Sequence, residues 1–466
     1  MTPHLGLLSA GLLITISALA QAQTASLTFE SAWERLQSGS DQLAAAQAGV
    51  DSKTLQAQGL QGLGGPVVQL TGAAYAYNLT LDLNLDTVNK SLSQIVQQLP
   101  ASLQSMGISL PQLPSSYSYN RSDTGTTKNI SFVWPLYTGG VADSVRGFVQ
   151  AQGDEARADA DKTGQALMTQ LVQRYFGAQL SARAAGLRQA ALDDIAEHDA
   201  ATAKMLASGV ISRVERLQAQ VALEEARRQA QKARSDAELA AVALARTLQM
   251  EALVTPATPL FVLTQPVEPL AHFLSQALSR HPGLAKVAAK QAQAEQLHQG
   301  QEGLRKPQVF AFGQRELQTG QADWVAGVGV RWTLFDAVDR DLLAAASVKQ
   351  IEQAQRSEQQ ARSDISLLVE KNWRQVEQTR RQFLATEPGV TLAKEVLRLR
   401  RAALREGTGT VLELMDADVN LAKVETERAQ VAYDYVLALA SLLESCGLSD
   451  SFSRYASRAD VRIEGS

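Results

Sequence analysis

The sequence of 466 residues is short of the residue types that carry metals, disulfides and catalysis. It has one cysteine and five histidines, too few and too scattered for a disulfide framework or a structural zinc site. It has no His-Glu-x-x-His or Gly-x-Ser-x-Gly motif, and its glycine-rich stretch 59–65 lacks the Gly-Lys-Ser/Thr of a phosphate loop. We therefore expect no enzyme, no metal and no other cofactor. The helical histidines are expected at the solvated surface: His198, His272, His281 and His298.

Strong charge and long apolar runs are also missing. The chain has 44 Lys and Arg residues and 48 Asp and Glu residues, which gives a net charge of −4. This net charge does not favour nucleic acid as a partner. After the N-terminal region, no apolar run reaches the roughly 18–20 residues of a membrane helix, so any span of the mature chain must use strands. Residues 5–19 are apolar and residues 20–22 (Ala-Gln-Ala) form a cleavage site. We interpret 1–22 as a signal peptide, with a short membrane anchor as the alternative.

The chain contains an internal repeat of two copies. The segment 134–137 aligns without a gap with the segment 332–335, 198 positions later. Upstream, the region of Gly59 matches the region of Gly300, 241 positions later. The difference between these offsets assigns a 43-residue insertion to the first copy, between about residues 79 and 121, where prolines and serines are typical of a loop.

Each copy has the same predicted order of helix, β-hairpin, long helix, glycine turn and helix. In the first copy the helices cover about 27–63, 141–207 and 212–248, and the strands about 67–77 and 128–134. In the second copy the helices cover about 270–304, 338–405 and 411–446, and the strands 308–316 and 324–333. The predicted organisation is a first repeat, 23–249, with its hairpin at about 67–134; a linker, 250–268; a second repeat, 269–447, with its hairpin at about 308–333; and a tail, 448–466.

The long helices predict a rod. About 67 residues extend roughly 100 Å at 1.5 Å per residue, and the two shorter helices of a copy together have nearly that length. The simplest packing lays them end to end beside the long helix, with the hairpin and the glycine turn at opposite ends. A coiled-coil seam after each turn favours this packing, although Arg428 interrupts the second seam. Pro388 is expected to bend the second long helix.

Two hairpins give four strands per chain, and four strands cannot close a barrel. An open sheet edge is excluded in a bilayer and spanning barrels need about eight strands or more, so several chains must share one barrel. Aromatic residues at the ends of the second strands are placed for a membrane-interface girdle, with packing at a strand-to-helix corner as the alternative: Trp134, Tyr137, Trp332 and Phe335. Within the insertion, apolar residues from Val88 to Leu99 keep helical spacing, which predicts a short amphipathic helix or, alternatively, an ordinary loop.

The segment 134–140, its echo at 332–336, and the turns 209–212 and 407–410 form an ordered set along the chain. This set resembles the TolC-like outer-membrane factor family. The resemblance implies a mainly α fold with a small β part: a homotrimer that forms a 12-stranded outer-membrane β-barrel continued by a periplasmic α-helical barrel. It also implies a passive exit duct of a tripartite efflux pump or a type I secretion system, gated at its helical tips. The implied partners are outer-membrane lipid, a periplasmic adaptor and an inner-membrane transporter.

The resemblance further implies roles for residues at the two turns. Acidic residues would line the periplasmic entrance: Glu215 in the first copy, and Glu413 and Asp416 in the second. For Glu215, a role at the helix N-terminus is the alternative. The turns would dock the adaptor through Gly209, Val210, Ile211, Ser212, Gly407, Thr408, Thr410 and Val411. The Arg and Tyr that latch the closed state in well-understood members are replaced by Gly409 and Leu404, for which Arg213 or Arg405 could substitute.

A periplasmic coiled-coil adaptor or scaffold without a pore is the alternative function. The long helices fit both functions equally well, but two isolated hairpins do not fit the many-stranded domain of an adaptor. The wall of a passive duct carries little substrate chemistry. The choice of cargo therefore belongs to the partner transporter, whether proton-driven or ATP-driven.

Overall fold

The computed structural model describes residues 25–97, 113–317, 323–335 and 337–463, so the predicted signal peptide lies outside the described part of the chain. The chain divides into two compact units. Of the described residues, the helical unit contains 25–59, 147–296 and 346–463, and the sheet unit contains 60–97, 113–146, 297–317, 323–335 and 337–345.

The predicted long helices are present as α4 (Val141–Ala207) and α8 (Arg340–Arg405). Each is followed by a helix of 35 residues, α5 (Arg213–Thr247) or α9 (Val411–Ser445). The second pair follows the first at the 198-residue offset to within one residue, so the repeat in the sequence is a repeat in the structure. The fold is mainly α with a small β part, as predicted. Pro388 lies inside α8, which continues to Arg405, and the expected bend stays a prediction.

The helical segment before each hairpin is split at one residue. The resulting helices are α1 (Phe29–Gly39), α2 (Asp41–Gly59), α6 (Leu270–Arg280) and α7 (Pro282–Gly303). The splitting residues, Ser40 and His281, are 241 positions apart and both have extended backbone. Pro282 explains the second break, because a residue before proline is driven out of the α region. The helix break therefore occurs at the same position in both copies of the internal repeat.

The linker and the tail contain strands that the sequence analysis did not predict. In the helical unit, β1 (Ala25–Leu27) pairs in parallel with β4 (Val254–Pro256) of the linker. The linker strand β5 (Leu260–Val262) pairs with β8 (Val461–Ile463) of the tail, which also contains the helix α10 (Phe452–Arg458). Both segments thus belong to the folded core.

An aromatic cluster forms the centre of this core. Its rings lie 5.0–6.0 Å apart by centroid: Phe29, Tyr175, Phe176, Phe261 and Phe452. The Tyr175 hydroxyl donates to the carbonyl of Leu27 at 2.6 Å and accepts from the amide of Thr258 at 2.8 Å. Linker and tail residues therefore complete an aromatic cluster whose other members come from the first repeat, and each buried aromatic contributes about 1.5–3 kcal/mol.

The sheet unit holds one antiparallel sheet with the strand order β2-β3-β6-β7. Its strands are β2 (Val67–Asn84), β3 (Ser116–Tyr137), β6 (Gln308–Glu316) and β7 (Trp324–Arg331). The first hairpin is longer than predicted, because β2 and β3 pair without a shift from Val67↔Val133 to Asn84↔Ser116. The hairpin therefore extends into the insertion, which also contains the expected short helix, α3 (Asp86–Gln97).

Four glycines of this sheet lie beneath aromatic rings of the neighbouring strand. The pairs are Gly125 with Tyr75, Gly313 with Phe132, Gly327 with Phe312, and Gly329 with Phe310. A Cβ atom at Gly329 would lie 2.7 Å from the Phe310 ring, and one at Gly327 would lie 3.2 Å from the Phe312 ring, so a side chain at these positions would displace the ring. Such aromatic coverage of glycine fixes the strand register.

Gln249 is the non-glycine residue with positive φ, 52°, within the described part of the chain. Its equivalent 198 positions later is Gly447, with φ of 68°. Replacing Gln249 by glycine should raise the unfolding free energy by about 0.5–1 kcal/mol, because the left-handed cost disappears and exceeds the added unfolded-state entropy. Thermal unfolding in detergent measures this change.

The matched control for this prediction is Gly447→Ala. A Cβ atom at Gly447 would lie 2.8 Å from the carbonyl oxygen of Arg280, so this variant should unfold at a lower temperature. A Gln249→Gly protein that unfolds below the parent would show that the Gln249 side chain, which donates to Asp41 at 3.0 Å, outweighs its backbone cost.

Candidate functional site

The two glycine turns of the helical unit have the same geometry. Gly209 and Gly407 have φ of 74° and 75°, a conformation that favours glycine and closes a helix C-terminus. The amide after each glycine donates back to the helix at 2.9 Å, from Val210 and from Thr408. Val210 is 70% exposed, and Ser212, Thr408 and Thr410 are exposed as well.

Val411 does not fit the expected docking surface. It is 7% exposed and packs with Ile195, Ala219 and Met415 in a small core behind the turns. Val411 opens α9 on its apolar face, which its position in the turn alone did not reveal, and its role in docking stays a prediction. The other predicted docking residues stay a prediction.

Both turns lead into helices that begin with a reciprocal cap. The hydroxyl of Ser212 accepts from the amide of Glu215 at 3.2 Å, and the Glu215 carboxylate accepts from the amide of Ser212 at 2.7 Å. Thr410 and Glu413 make the same two bonds, each at 3.2 Å. These amide donors lower the pKa of both carboxyl groups. The capping role considered for Glu215 is therefore present in the structure, and Glu413 shares it.

The predicted constriction residues differ in their surroundings. The Glu413 carboxylate lies 3.1 Å from the Arg400 guanidinium of α8, whose charge further lowers the Glu413 pKa. Asp416, one turn later on α9, is exposed. The structure thus brings Glu413 and Asp416 to one end of α9, and their place at a constriction stays a prediction.

The caps predict a pH dependence of the turns. Because the folded pKa of Glu215 and Glu413 is below the ordinary value of 4.5, their stabilisation is present above that pH and is lost as pH falls through the folded pKa. We expect amide hydrogen exchange at 212–215 and 410–413 to accelerate below about pH 4.5, after correction for intrinsic rates. A Glu215→Gln, Glu413→Gln protein should lack this acceleration. Equal pH profiles in both proteins would contradict the assignment.

Sequence reasoning missed Asp418, a buried acid on α9. Its carboxylate lies 3.2 Å from Nε2 of His198 on α4 and 3.3 Å from the guanidinium of Arg401 on α8. Arg401 also contacts Asp194 on α4 at 3.0 Å. The Asp418 carboxylate therefore connects α4, α8 and α9. We call Asp418, His198, Arg401 and Asp194 the Asp418 cluster. His198 is part of it and not a purely solvated side chain, contrary to expectation.

A second tie joins α5 to α4. The Arg216 guanidinium forms a fork on the Asp199 carboxylate, with one contact at 3.1 Å, and donates to the Thr202 hydroxyl at 3.1 Å. Both charged side chains are about 15% exposed or less. Near the turns, Arg216, Arg400 and Arg401 thus make cross-helix ion pairs, and replacement of the latch by Arg213 or Arg405 stays a prediction.

The sheet unit has two chemically different faces where its two hairpins lie side by side. Directly opposed residues of an antiparallel pair share a face. One face, here the Leu70 face, is mainly apolar. It carries Val68, Leu70, Ile130, Phe132, Trp134, Val309, Ala311, Trp324, Ala326, Val328 and Val330, with Arg315 as a charged exception. The opposite Gln69 face is mixed, because its polar residues Gln69, Thr71, Asn129, Ser131, Gln314 and Glu316 share it with Val67, Val133, Phe310, Phe312 and Val325. Leu70 and Val328 are 73% and 67% exposed, so the apolar face is uncovered in one chain.

Tryptophans stand at both ends of this apolar face. Trp324 begins β7 and Trp332 directly follows it, a separation of about 26 Å at 3.3 Å per residue. This is close to the apolar band of an outer-membrane protein, about 25 Å tall. The other predicted girdle residues are also exposed, by 46% for Trp134, 47% for Tyr137 and 92% for Phe335.

No helix in 25–97, 113–317, 323–335 or 337–463 combines the length and apolarity that a bilayer crossing requires. Over the same ranges, no three His, Cys, Asp or Glu side chains gather as a metal site.

The family model described as outer membrane efflux protein matches residues 32–248 and 273–448. The chain belongs to the outer membrane efflux protein family. The two matched segments coincide with the two structural repeats. Among curated proteins, none matches the sequence.

Solved channels of similar fold include the Campylobacter jejuni CmeC outer membrane channel, 12% identical over 98% of each chain, with a TM-score of 0.70. The open state of the Neisseria gonorrhoeae MtrE outer membrane channel is 16% identical over 90% of this chain and 89% of that chain, with a TM-score of 0.68. CusC, described as forming a transmembrane channel, is 14% identical over 90% and 91%, with a TM-score of 0.71. Together they show that the family fold is retained at low identity.

Proposed function

We propose that the protein is the outer-membrane exit duct of a tripartite efflux pump or a type I secretion system, a passive homotrimeric channel gated at its helical turns. Family membership supports export across the outer membrane. The observation that carries the proposal is the exposed Leu70 face between Trp324 and Trp332. An uncovered apolar face with aromatic borders matches the lipid-facing surface of outer-membrane strands.

The strand count supports assembly of three copies. β2 and β7 are the edge strands of the four-stranded sheet, and each presents unpaired backbone groups on its outer side. In lipid such edges must be paired, so the edge of one copy pairs with the next. Three copies give a closed barrel of twelve strands, which lies within the range of spanning barrels. The Gln69 face then lines the lumen.

The Asp418 cluster supports gating at the turns. It holds α8 and α9 against α4, and breaking it would free the turn between α8 and α9 to move. In a trimer, Glu413 and Asp416 would form rings of carboxylates at the periplasmic entrance. The exposed turn residues, Val210 and Thr408 among them, are the proposed docking site for a periplasmic adaptor, which would link the duct to an inner-membrane transporter.

Fractionation and conductance test the proposed function. The mature protein should be recovered from outer membranes only with detergent, as a trimer, and should form ion-conducting channels in planar bilayers. Recovery as a soluble periplasmic monomer would exclude the duct and favour the coiled-coil scaffold.

The carboxylate rings predict cation selectivity. Replacing Glu413 and Asp416 together by alanine should lower the K⁺ over Cl⁻ permeability ratio several-fold at low salt, because the rings attract cations and salt screens them. Glu427, an exposed acid farther along α9, offers the matched control Glu427→Ala, which should leave the ratio unchanged. An unaltered ratio in the double variant would remove both residues from the constriction.

A further inference from the structure

The first hairpin continues far beyond the second. β6 pairs with β3 over 129–137, whereas β2 and β3 stay paired with each other to Asn84 and Ser116. The part without a further strand of this chain beside it comprises Ala73–Asn84 and Ser116–Thr127, which we call the outer ribbon. Its twelve residue pairs extend about 40 Å at 3.4 Å per residue.

The apolar side of the hairpin changes at the start of the outer ribbon. The register from Val67 to Asn84 has no shift, so each face of the lower hairpin continues directly into the ribbon. In the ribbon the continuation of the Leu70 face carries only small and polar residues: Ala74, Ala76, Asn78, Thr80, Asp82, Asn84, Ser116, Ser118, Asn120, Ser122, Thr124 and Thr126. The continuation of the Gln69 face now carries the large apolar residues, Tyr75, Tyr77, Leu79, Leu81, Leu83, Tyr117 and Tyr119, together with one residue of each charge, Arg121 and Asp123.

The change occurs beyond the lipid-facing band. The cross-strand row that contains Trp324 runs through Arg315, Ile130 and Leu70. Lys128 follows on the same face, where a long cationic side chain reaches the headgroups. The outer ribbon starts immediately after this level. Lipid therefore does not account for its Tyr and Leu residues, which lie on the side that lines the lumen lower down.

These residues are uncovered within the described part of the chain. Tyr77 is 38% exposed and Leu79 is 61% exposed, and the other five lie between these values. The adjacent α3 does not cover them, because its own apolar residues Val88 and Ile95 are 43% and 56% exposed. Tyr75 and Tyr77 stack on one another with ring centroids 6.1 Å apart, which makes the patch continuous along the strand.

We propose that in the assembled channel the outer ribbons of the three copies pack against one another through this Tyr and Leu face and narrow the external mouth. The inference rests on the proposed homotrimer. Because the face lies on the lumenal side, threefold symmetry directs the same apolar patch of every copy toward one axis. The polar continuation of the Leu70 face is left toward water. The partner that packs against the Tyr and Leu face is therefore a second copy of this chain.

Cysteine cross-linking in the purified trimer tests the packing. Cys446, the single native cysteine, is fully buried, so the parent protein should give no cross-link under mild oxidation. Leu81→Cys should give a covalent dimer containing up to about two thirds of the chains, since one disulfide joins two of three copies. The matched control is Thr80→Cys, the neighbouring residue on the polar face, which should stay uncross-linked.

Three other outcomes would contradict the packing of the outer ribbons. An intact trimer in which Leu81→Cys does not cross-link, or cross-links no more than Thr80→Cys, would overturn the ribbon packing while leaving the duct intact. Cross-linking of Leu81→Cys only after deletion of residues 98–112 would show that this segment covers the face, and would also overturn it. A monomeric protein would overturn the proposed function and this inference together.

Discussion

An Asp418→Ala channel is expected to conduct more often than the parent channel in planar bilayers. The substitution removes the carboxylate that Arg401 and His198 share, and with it the contacts through which Asp418 joins α9 to α4 and α8. Hydrogen bonds to a charged group contribute about 1.5–3 kcal/mol. Arg401 is 44% exposed and can turn to water, so for the proposed gate we expect the arrangement described here to lose about 1.5 kcal/mol. This corresponds to a roughly tenfold rise in open probability when opening is rare.

Two further variants separate gating from misfolding. Asp418→Asn keeps the shape of the side chain and should also raise conductance, because the neutral amide cannot pair with the Arg401 charge. Asp194→Ala removes only the exposed partner of Arg401, a pair of the kind that contributes at most about 1 kcal/mol, and should change little. Stable Asp418 variants with the open probability of the parent would show that the Asp418 cluster does not hold the gate.

The repeat explains why much of the helical architecture was predictable. Two copies of the same pattern confirm each other, so the boundaries of α4, α5, α8 and α9 follow from matching positions 198 residues apart. The two glycine turns were predictable for the same reason. Two features that were not predicted also recur in both copies. They are the helix breaks at Ser40 and His281 and the left-handed backbone at Gln249 and Gly447.

The strands that were missed have no periodicity to detect. β5 and β8 are three residues long and exist because Leu260 and Ile463, about 200 positions apart, lie opposite each other. The outer ribbon was missed for a different reason. Its β3 half is rich in Ser, Thr and Asn, residues that are typical of loops, and only pairing with β2 makes it a strand.

The candidate gate shows the same limit of local patterns. Glu215 and Glu413 were named because the family resemblance places an acidic residue six positions after each turn glycine, which is a local position in the sequence. Asp418 differs from them because its partner His198 is 220 positions away. Arg428 interrupted the seam in sequence, and the structure places its guanidinium over the Phe383 ring at 5.1 Å and against Glu387 at 2.8 Å. Which residue faces which helix depends on the packing of helices, not on their own periodicity.

Gly139→Ala is expected to prevent the sheet unit from folding. Gly139 has φ of 72°, and a Cβ atom there would collide with the carbonyl oxygen of Gly303, which belongs to a helix backbone and cannot move aside. Backbone strain and overlap together should cost on the order of 3–5 kcal/mol. The expected result is loss of the detergent-stable trimer from outer membranes, measured by unheated gel electrophoresis and by size-exclusion chromatography.

Gly140→Ala is the matched control, because it isolates the close approach from the positive φ. Gly140 has φ of 96°, but a Cβ atom there would meet no atom within 4 Å. It should therefore cost only about 1–2 kcal/mol of backbone strain and leave trimers in the membrane. If both variants assembled equally well, the contact between Gly139 and Gly303 would not be what fixes the corner between hairpin and helix. If both failed, the left-handed backbone alone would be the requirement.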